Sequence, residues 1–293
     1  MITNSKIGHY GRLGNQMFQY SLLYSVGKKN NYEIVLPIEN QKMVDGRFNP
    51  VINSNDRYGL DLFKCFDMAT ATCASNQEIQ EQIKHNYREQ QSAYNPDVFD
   101  VQDGTDFEGY FQYWKFFEDY FDDIKREFEF TDSVKSKACD LVELSGVDQL
   151  KSTVSVHIRR GDGLMDNGQF QVFLGPEYYH VALQILKSQG VVDPQVIVFS
   201  DDIGWCKQNL SLGDMVFVDS SSLDDGHVCP HYIDLCLMSM CQHNIMANST
   251  YSWWGSFLNK NTNSKVVVPK EWWGWGNRSN SENYLRLDHW ISI

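Results

Sequence analysis

Several common signatures are scarce or missing in this sequence, and each absence removes a class of protein. Positive charge is scarce: 25 lysines and arginines stand against 38 aspartates and glutamates, and the formal net charge is −13. Nucleic acids and anionic membranes bind to basic surfaces, so this balance argues against a nucleic-acid partner or any partner recognised through bulk phosphate charge. A phosphate site in this chain must therefore be local.

Cysteine patterns and long apolar runs are also missing. The seven cysteines form no CxxC pair and show no zinc-type spacing, and an odd number does not complete a disulfide framework. No stretch approaches the ~20 apolar residues of a membrane span, and the start MITNSKIGHYGRLGNQ has no apolar core of a signal peptide. These absences predict a chain without a transmembrane segment in a reducing cytoplasm, either free or peripheral at the inner face of the membrane.

Internal repeats and low-complexity tracts are absent, whereas the length of 293 residues suggests about two domains. The texture changes between Leu150 and Thr153. Downstream of that point, short β-branched runs alternate with helical patterns, which predicts a Rossmann-like domain on a parallel sheet. Upstream, an amphipathic helix near 15–28, the strand EIVLP and a helix near 76–89 predict a second α/β domain. A ligand is expected in the cleft between two such domains.

Residues 153–162, TVSVHIRRGD, form an apolar strand that ends in two arginines. Alternation along this strand places its valines and isoleucine on one face, and Ser155, His157 and Arg159 on the other. In open α/β sheets ligands bind outside the carboxyl ends of the strands, and an arginine fork matches phosphate oxygens. Arg159 and Arg160 are therefore either a pyrophosphate clamp or a surface pair bound to neighbouring carboxylates.

Two further strand ends carry polar side chains. In NIMANSTYSWWGSFL, Ser249 or Thr250 begins a helix, where N–H groups and hydroxyls can bind a phosphate; simple N-capping is the alternative. In VFSDDIGWCK, a buried strand ends in Ser200, Asp201 and Asp202, whose oxygens can accept hydrogen bonds from guanine or ribose. Asp202 is the better placed of the two carboxylates to cap the next helix instead.

The N-terminal segment GHYGRLGNQMFQYSLLYS is a glycine-rich turn that leads into a helix. Its glycines fit neither GxGxxG nor a Walker loop. Asn15 and Gln16 lie at the helix start and can donate hydrogen bonds across a domain cleft, unless the segment is only a turn. No metal is expected, because His227, Cys229 and His231 lack further ligands and SDD is not the DxD pattern.

Together these elements resemble the alpha-1,2-fucosyltransferases of glycosyltransferase family 11 over nearly the whole chain. The resemblance depends on GRLGNQMFQY, GYFQYWKFF, HIRRGD, FSDDIGWCK and DLCLMSMCQHNIMANSTYSWWGSFL, in that order. It implies a GT-B-like α/β fold of two Rossmann-like domains. Residues 1–150 would be the acceptor-side domain and residues 151–293 the GDP-fucose-binding domain, with the nucleotide-sugar site in the cleft.

The resemblance also implies an activity and residues that carry it. Family members transfer L-fucose from GDP-fucose, with inversion and without a metal or other cofactor, to the 2-hydroxyl of a terminal galactose. Arg159 matches the arginine that contacts the β-phosphate, with Arg160 beside it and His157 near the ribose. Asn15 matches an asparagine that related fucosyltransferases also direct at the phosphate. Asp162 either orders the arginines or acts as the general base, and Asp166 is a second candidate base.

The remaining carried-over residues complete the donor site. Ser249, Thr250 and Tyr251 match the phosphate-binding turn, and the SDD carboxylates lie where guanine or ribose recognition is expected. Thr250 and Tyr251 stand where Ser and Phe are commoner in the family, and this departure leaves the donor assignment intact. Alternatives are a fucosyltransferase of other linkage, a peptide O-fucosyltransferase, a transferase with another nucleotide sugar and a non-catalytic carbohydrate-binding protein; the HxRRxD element argues against the last.

Overall fold

The computed structural model describes residues 1–9, 11–38, 59–90, 94–148, 150–161, 172–273 and 285–293. These residues form two compact units, Met1–Thr131 and Asp132–Ile293. The sequence places the boundary after residue 150, whereas the structure places helix α5 (Asp132–Ser145) in the second unit. The buried face of α5 needs a partner, and it lies against a later helix of the same unit. The change of texture near residue 150 marks the first strand of the second unit, not its beginning.

In the first unit, the helices are α1 (Leu13–Asn30), α2 (Leu62–Cys65), α3 (Asn76–Gln82) and α4 (Phe121–Glu127), with 3-10 turns at Pro96–Phe99, Trp114–Phe116 and Glu118–Tyr120. The strands are β1 (Val35–Pro37), β2 (Thr72–Ala74), β3 (His85–Arg88) and β4 (Thr105–Glu108).

The N-terminal residues join the two strand pairs of this unit. β1 pairs with β2 and β3 pairs with β4, both in parallel. Ile2 bridges Ile34, which precedes β1, and Thr3 bridges Asp106 in β4; both bridges are also parallel. The spatial order is therefore β3, β4, the N-terminal segment, β1, β2, and the carboxyl ends of these segments share one edge. The predicted second α/β domain has this parallel arrangement.

Two local predictions for the first unit were wrong. Helix α1 is not amphipathic, because its residues from Leu13 to Gly27 are buried on nearly all sides. The predicted helix over 76–89 ends at Gln82, and the residues that follow enter β3. A capping box of Ser75 and Glu78 starts α3 at the predicted position. The helix ends early because the residues that follow it form β3 and pair with β4.

In the second unit, the helices after α5 are α6 (Pro176–Ser188), α7 (Ile203–Asn209), α8 (Pro230–Met240) and α9 (Thr250–Phe257), with a 3-10 turn at Ser220–Leu223. The strands are β5 (Thr153–Ile158), β6 (Gln195–Ser200), β7 (Met215–Phe217), β8 (His243–Ile245), β9 (Val266–Val268) and β10 (Ile291–Ser292).

These six strands form one parallel sheet with the order β10-β9-β8-β5-β6-β7. The alternating strands and helices predicted for this half are confirmed. The chain starts at β5 in the centre, runs outward through β6 and β7, and then returns to β8 on the other side of β5. The order of the strands therefore reverses between β5 and β8, the position where open α/β sheets bind ligands at their carboxyl ends.

The alternation in β5 is confirmed as well. Val154, Val156 and Ile158 are buried in a core with residues of α6 and α7. On the opposite face, Asn244 donates to the Ser155 hydroxyl at 2.7 Å and to the carbonyl of Met238 in α8. Helices therefore cover both faces of the sheet. No helix in the described ranges is both long and apolar enough to cross a membrane.

Candidate functional site

The carboxyl end of β5 leads into a turn that one carboxylate holds. Asp201, directly after β6, accepts the backbone N–H of Arg160 at 2.9 Å and that of Gly161 at 3.0 Å. The same carboxylate forms an ion pair with Nη1 of Arg159. A Cβ atom at position 161 would lie 2.8 Å from Oδ2 of Asp201, so glycine admits this close approach. Asp201 therefore fixes both the turn and the guanidinium of Arg159.

The two arginines of the motif differ in their surroundings. Arg160 is only 9% exposed, and its Cζ lies 3.7 Å from the ring centroid of Trp205. Its Nε donates to Oδ2 of Asp202 at 3.2 Å, and Phe173 lies on the guanidinium at 5.3 Å. Its buried Nη1 makes no hydrogen bond to any described residue. Arg160 is thus held inside the protein by Asp202 and Trp205, and its contact with the donor stays a prediction.

Ser200, Asp201 and Asp202 serve the protein itself. Oδ1 of Asp202 accepts the N–H of Trp205 at 3.0 Å and caps α7, which confirms the capping alternative for this residue. The Ser200 hydroxyl oxygen accepts the N–H of Asp202 at 3.0 Å. These contacts organise the arginine turn, and recognition of guanine or ribose by the three residues stays a prediction.

His157, the second-last residue of β5, carries a buried neutral imidazole. Burial, followed by the positive charge of Arg159, lowers its pKa to about 4. Its Nδ1 is buried without a hydrogen-bond partner in the described part of the chain. The ring of Tyr251 lies beside it, with centroids 5.5 Å apart. At neutral pH this side chain can therefore give or accept one hydrogen bond but carries no charge.

The carboxyl end of β8 leads into α9 and forms the second wall. Ser249 occupies the N-cap position, yet its side chain makes no capping hydrogen bond, so the simple capping alternative is wrong for Ser249. Thr250 is the first helical residue, and the hydroxyl of Tyr251 donates to the carbonyl of His231. Asn248 joins two loops by donating to the carbonyls of Val172, at 2.7 Å, and Trp272.

Asp234, a carboxylate in the mostly apolar helix α8, belongs to none of the sequence motifs. Burial raises its pKa to about 7, and its buried Oδ1 makes no hydrogen bond to any residue that the structure describes. A hydrogen bond with the Ser220 side chain and then the nearby His231, one turn earlier on α8, oppose this rise of the pKa. A carboxylate inside the apolar run YIDLCLMSM was the available indication, because Asp is almost never buried without a partner.

Asn15 lies in the first unit, in the first turn of α1. Its Oδ1 accepts a hydrogen bond from Nε2 of Gln112 at 2.8 Å. Gly11 has φ of 80°, and a Cβ atom at this position would lie 2.7 Å from the side chain of Asn15. The expectation for Gln16 was wrong: it is fully buried, donates to the Gly59 carbonyl and accepts the N–H of Asp61.

Two candidate bases and the metal question remain. Asp162 and Asp166 lie outside the described residues. Within the described residues, no three His, Cys, Asp or Glu side chains are grouped so that they could hold a metal ion. The seven cysteines are all free thiols.

Comparison with protein families decides the relationship. The model of "Glycosyl transferase family 11" matches residues 2–293. The chain belongs to glycosyltransferase family 11. This family 11 chain is therefore a glycosyltransferase, as the resemblance of the motifs predicts.

Individual relatives narrow the comparison. The chain is 29% identical to the O-antigen biosynthesis glycosyltransferase WbnK of Escherichia coli, over 97% of this chain and 98% of that protein. It is 25% identical to an alpha-1,2-colitosyltransferase of E. coli, over 89% of this chain and 90% of that protein. It is 27% identical to galactoside alpha-(1,2)-fucosyltransferase 2 of Gorilla gorilla gorilla over 86% of this chain and 68% of that one.

Solved structures share the fold of the family 11 chain. NodZ alpha-1,6-fucosyltransferase, co-crystallised with GDP, matches with a TM-score of 0.52 and 13% identity over 87% of this chain and 90% of the other. POFUT1 in complex with GDP-fucose matches with a TM-score of 0.51 and 15% identity over 90% and 97%. The fold is thus GT-B-like, mixed α/β with parallel sheets, as the sequence predicts.

The buried imidazole yields a pH prediction. The unfolded histidine binds a proton near pH 6.5 and the folded His157 only near pH 4, so stability falls as pH drops through this interval. In an NMR titration, with the signal identified by its loss in His157→Gln, we expect no protonation of His157 above about pH 5. Arg159→Gln removes a positive charge that lowers the pKa of His157, so it should raise the titration midpoint of His157. A midpoint near 6.5 in the wild-type chain would contradict the buried neutral state.

Proposed function

We propose that the chain is an inverting alpha-1,2-fucosyltransferase, which moves L-fucose from GDP-fucose to the 2-hydroxyl of a terminal galactose in an oligosaccharide. Family 11 membership supports sugar transfer, and two relatives carry the alpha-1,2 linkage in their names. NodZ with GDP and POFUT1 with GDP-fucose, which share the fold, support a guanosine diphosphate donor.

The observation that carries the proposal is the position of Arg159. It follows β5 at the point where the strand order reverses, and Asp201 fixes its guanidinium. Departure of GDP leaves negative charge on the β-phosphate while the fucose carbon becomes oxocarbenium-like. A guanidinium already held at the leaving oxygen stabilises that charge more in the transition state than in the ground state. Arg159 is therefore the proposed main catalytic residue.

The start of α9 supplies the second contact to the diphosphate. The first N–H groups of a helix have no partner inside the helix, and the helix dipole favours an anion there. Ser249 stands at the N-cap position of α9 and makes no side-chain capping hydrogen bond, which supports the assignment of Ser249, Thr250 and Tyr251 to the phosphate-binding turn. Because α9 follows β8, this turn and Arg159 flank the same reversal of strand order.

The nucleoside is proposed to lie beside His157 and Asp234. An ionised Asp only accepts hydrogen bonds, and guanine offers a pair of donors, N1–H and N2–H₂, to such a group. Oδ1 of Asp234 is buried and unpaired among the described residues, and hydrogen bonds from a base would favour its ionised form. His157, neutral at pH 7, suits a ribose hydroxyl or the base edge better than it suits phosphate.

The remaining proposed roles concern Asn15, a general base and a cofactor. Asn15 is proposed to donate a hydrogen bond to the diphosphate. An oxocarbenium-like carbon needs only a weakly activated hydroxyl, so a dedicated base is not required; Asp162 and Asp166 remain the candidates for one. Because GDP-fucose itself supplies the reacting group, no metal or further cofactor is part of the proposal.

A second candidate function follows from one comparison. The similarity to an alpha-1,2-colitosyltransferase favours transfer of a related deoxy sugar to the same hydroxyl position. Such an enzyme would share the diphosphate site and differ in the pocket for the sugar ring. The donor sugar therefore has to be tested together with the acceptor.

A donor and acceptor panel tests the proposal. GDP-fucose, GDP-colitose and GDP-mannose are offered with lactose, a Galβ1,3-linked disaccharide, an O-antigen unit and a peptide, and the product linkage is determined by NMR. We expect fucose α-linked to O2 of galactose. Attachment at another hydroxyl or to the peptide would contradict the proposed linkage. Thermal stabilisation by GDP with no turnover on any acceptor would favour a carbohydrate-binding protein.

Loss of the Arg159 guanidinium should slow transfer strongly. We expect Arg159→Ala to reduce kcat by roughly 100- to 1000-fold, because a preorganised donor to the developing charge is removed. Arg159→Lys keeps the charge without the planar guanidinium, so its kcat should lie between those of the wild-type enzyme and Arg159→Ala. The matched control is Arg126→Ala on α4, since Arg126 is exposed and pairs locally with Asp123. A correctly folded Arg159→Ala enzyme with near wild-type kcat would refute the assignment.

A further inference from the structure

One tyrosine at the start of α9 reaches across to the start of α8. Tyr251 is the second residue of α9, and its hydroxyl donates to the backbone carbonyl of His231, the second residue of α8. A phenol has a single O–H to donate, so this proton is already used within the protein. A hydrogen bond from Tyr251 to a bound diphosphate would therefore have to come from its backbone N–H and not from its side chain.

The ring of the same side chain lies beside the imidazole of His157 in β5. The two ring centroids are 5.5 Å apart, and the ring planes are inclined by 55°. His157 shares its face of the sheet with Ser155, and Asn244 connects that face to α8 by donating to the Ser155 hydroxyl and to the carbonyl of Met238. The imidazole is therefore buried between the sheet and these helices, and the ring of Tyr251 forms part of its cover.

These contacts connect three elements that carry different parts of the proposed donor site. β5 leads to Arg159, and α9 begins with the phosphate-binding turn; both are assigned to the diphosphate. α8 carries Asp234 one turn after His231, and Asp234 and His157 are assigned to the nucleoside. A side chain that joins the starts of α8 and α9 therefore fixes the distance between the nucleoside groups and the diphosphate groups.

We propose that Tyr251 is a positioning residue for the nucleoside of the donor: its hydroxyl fixes the start of α8 against that of α9, and its ring covers His157. This rests on the proposed function, in which Asp234 and His157 bind the nucleoside. The hydroxyl contributes to the recognition of guanosine without touching the donor, whereas the ring keeps water away from the imidazole. Substitution can separate these two parts of one side chain.

Tyr251→Phe tests the hydroxyl, because it removes that group and keeps the ring. We expect roughly 5-fold weaker binding, about the effect of one lost hydrogen bond, measured by calorimetry for GDP and GMP and by ligand-observed NMR for guanosine. The factor should be the same for all three ligands, since the hydroxyl acts on the nucleoside side. The KM for GDP-fucose should rise by a similar factor while kcat stays close to that of the wild-type enzyme.

The matched control is Tyr32→Phe. Tyr32 lies in the first unit, and its hydroxyl also donates to a backbone carbonyl, that of Val101 at 3.4 Å. Tyr32→Phe should bind GDP, GMP and guanosine as the wild-type chain does.

Tyr251→Leu tests the ring, because it also removes the aromatic cover from His157. Burial is the main cause that lowers the pKa of His157 to about 4, so exposure to water should raise it. Arg159 and Asp201, the charged groups that shift this pKa in opposite directions, are unchanged in the variant. In NMR titrations we expect the midpoint of His157 to stay near 4 in Tyr251→Phe and to rise toward its ordinary value of about 6.5 in Tyr251→Leu.

Several results would overturn the proposal. Normal affinity of Tyr251→Phe for all three ligands would show that the hydroxyl positions nothing. A loss confined to GDP and GMP, with guanosine unaffected, would show that the hydroxyl contacts phosphate directly. A His157 midpoint that stays near 4 in Tyr251→Leu would remove the role of the ring. Absence of fucose transfer by a wild-type chain that binds GDP would be the distinct failure of the proposed function and would leave the binding results for Tyr251 standing.

Discussion

The hydrogen bonds and the ion pair that Asp201 makes with the turn after β5 are the interactions on which the proposed donor site depends. Parallel pairing puts Ile158 of β5 opposite Ser200 of β6, so the next residue of β6 meets the backbone that leaves β5. The N–H groups of that backbone have passed the end of the sheet and need acceptors, and one carboxylate satisfies two of them. It also fixes Arg159.

The same device occurs at the carboxyl edge of the first unit. Glu89 follows β3 and accepts two consecutive N–H groups from the loop after β4, as Asp201 follows β6 and accepts two from the turn after β5. In each case the backbone leaves a parallel strand, and a carboxylate on the neighbouring strand fixes its direction. The fixed segment carries Gln112 in the first unit, which donates to Asn15, and Arg159 in the second unit, which pairs with Asp201. Preorganised donors of this kind need no rearrangement when charge develops.

Local patterns in the sequence predicted much of the second unit but less of the first. The β-branched runs and the alternation in β5 were sufficient to predict the central strands, because burial on both faces leaves a clear pattern. The N-terminal strand segment was missed because it is short and pairs only with distant residues. The sequence predicts an amphipathic α1, yet its polar residues are satisfied inside the protein. Gln16 and Gln19 donate to the carbonyls of Gly59 and Gly109, and Ser21 donates to the carbonyl of Met17 one turn earlier. The motifs select Arg159 and Ser249 as candidates, and the structure places both at carboxyl ends of strands in the parallel sheet. The contacts of Asp201 and the environment of Asp234 depend on residues distant in sequence, which no local pattern encodes.

We propose that the carboxyl ends of β5 and β8 form a site for a diphosphate. Calorimetric binding of GDP and GMP to the wild-type chain and to Arg159→Ala tests it most directly, because the two ligands differ only in the β-phosphate. We expect the wild-type chain to bind GDP on the order of 100-fold more tightly than GMP, and Arg159→Ala to lose most of this difference. Equal affinity for GDP and GMP in the wild-type chain, or an unchanged preference in the variant, would contradict it.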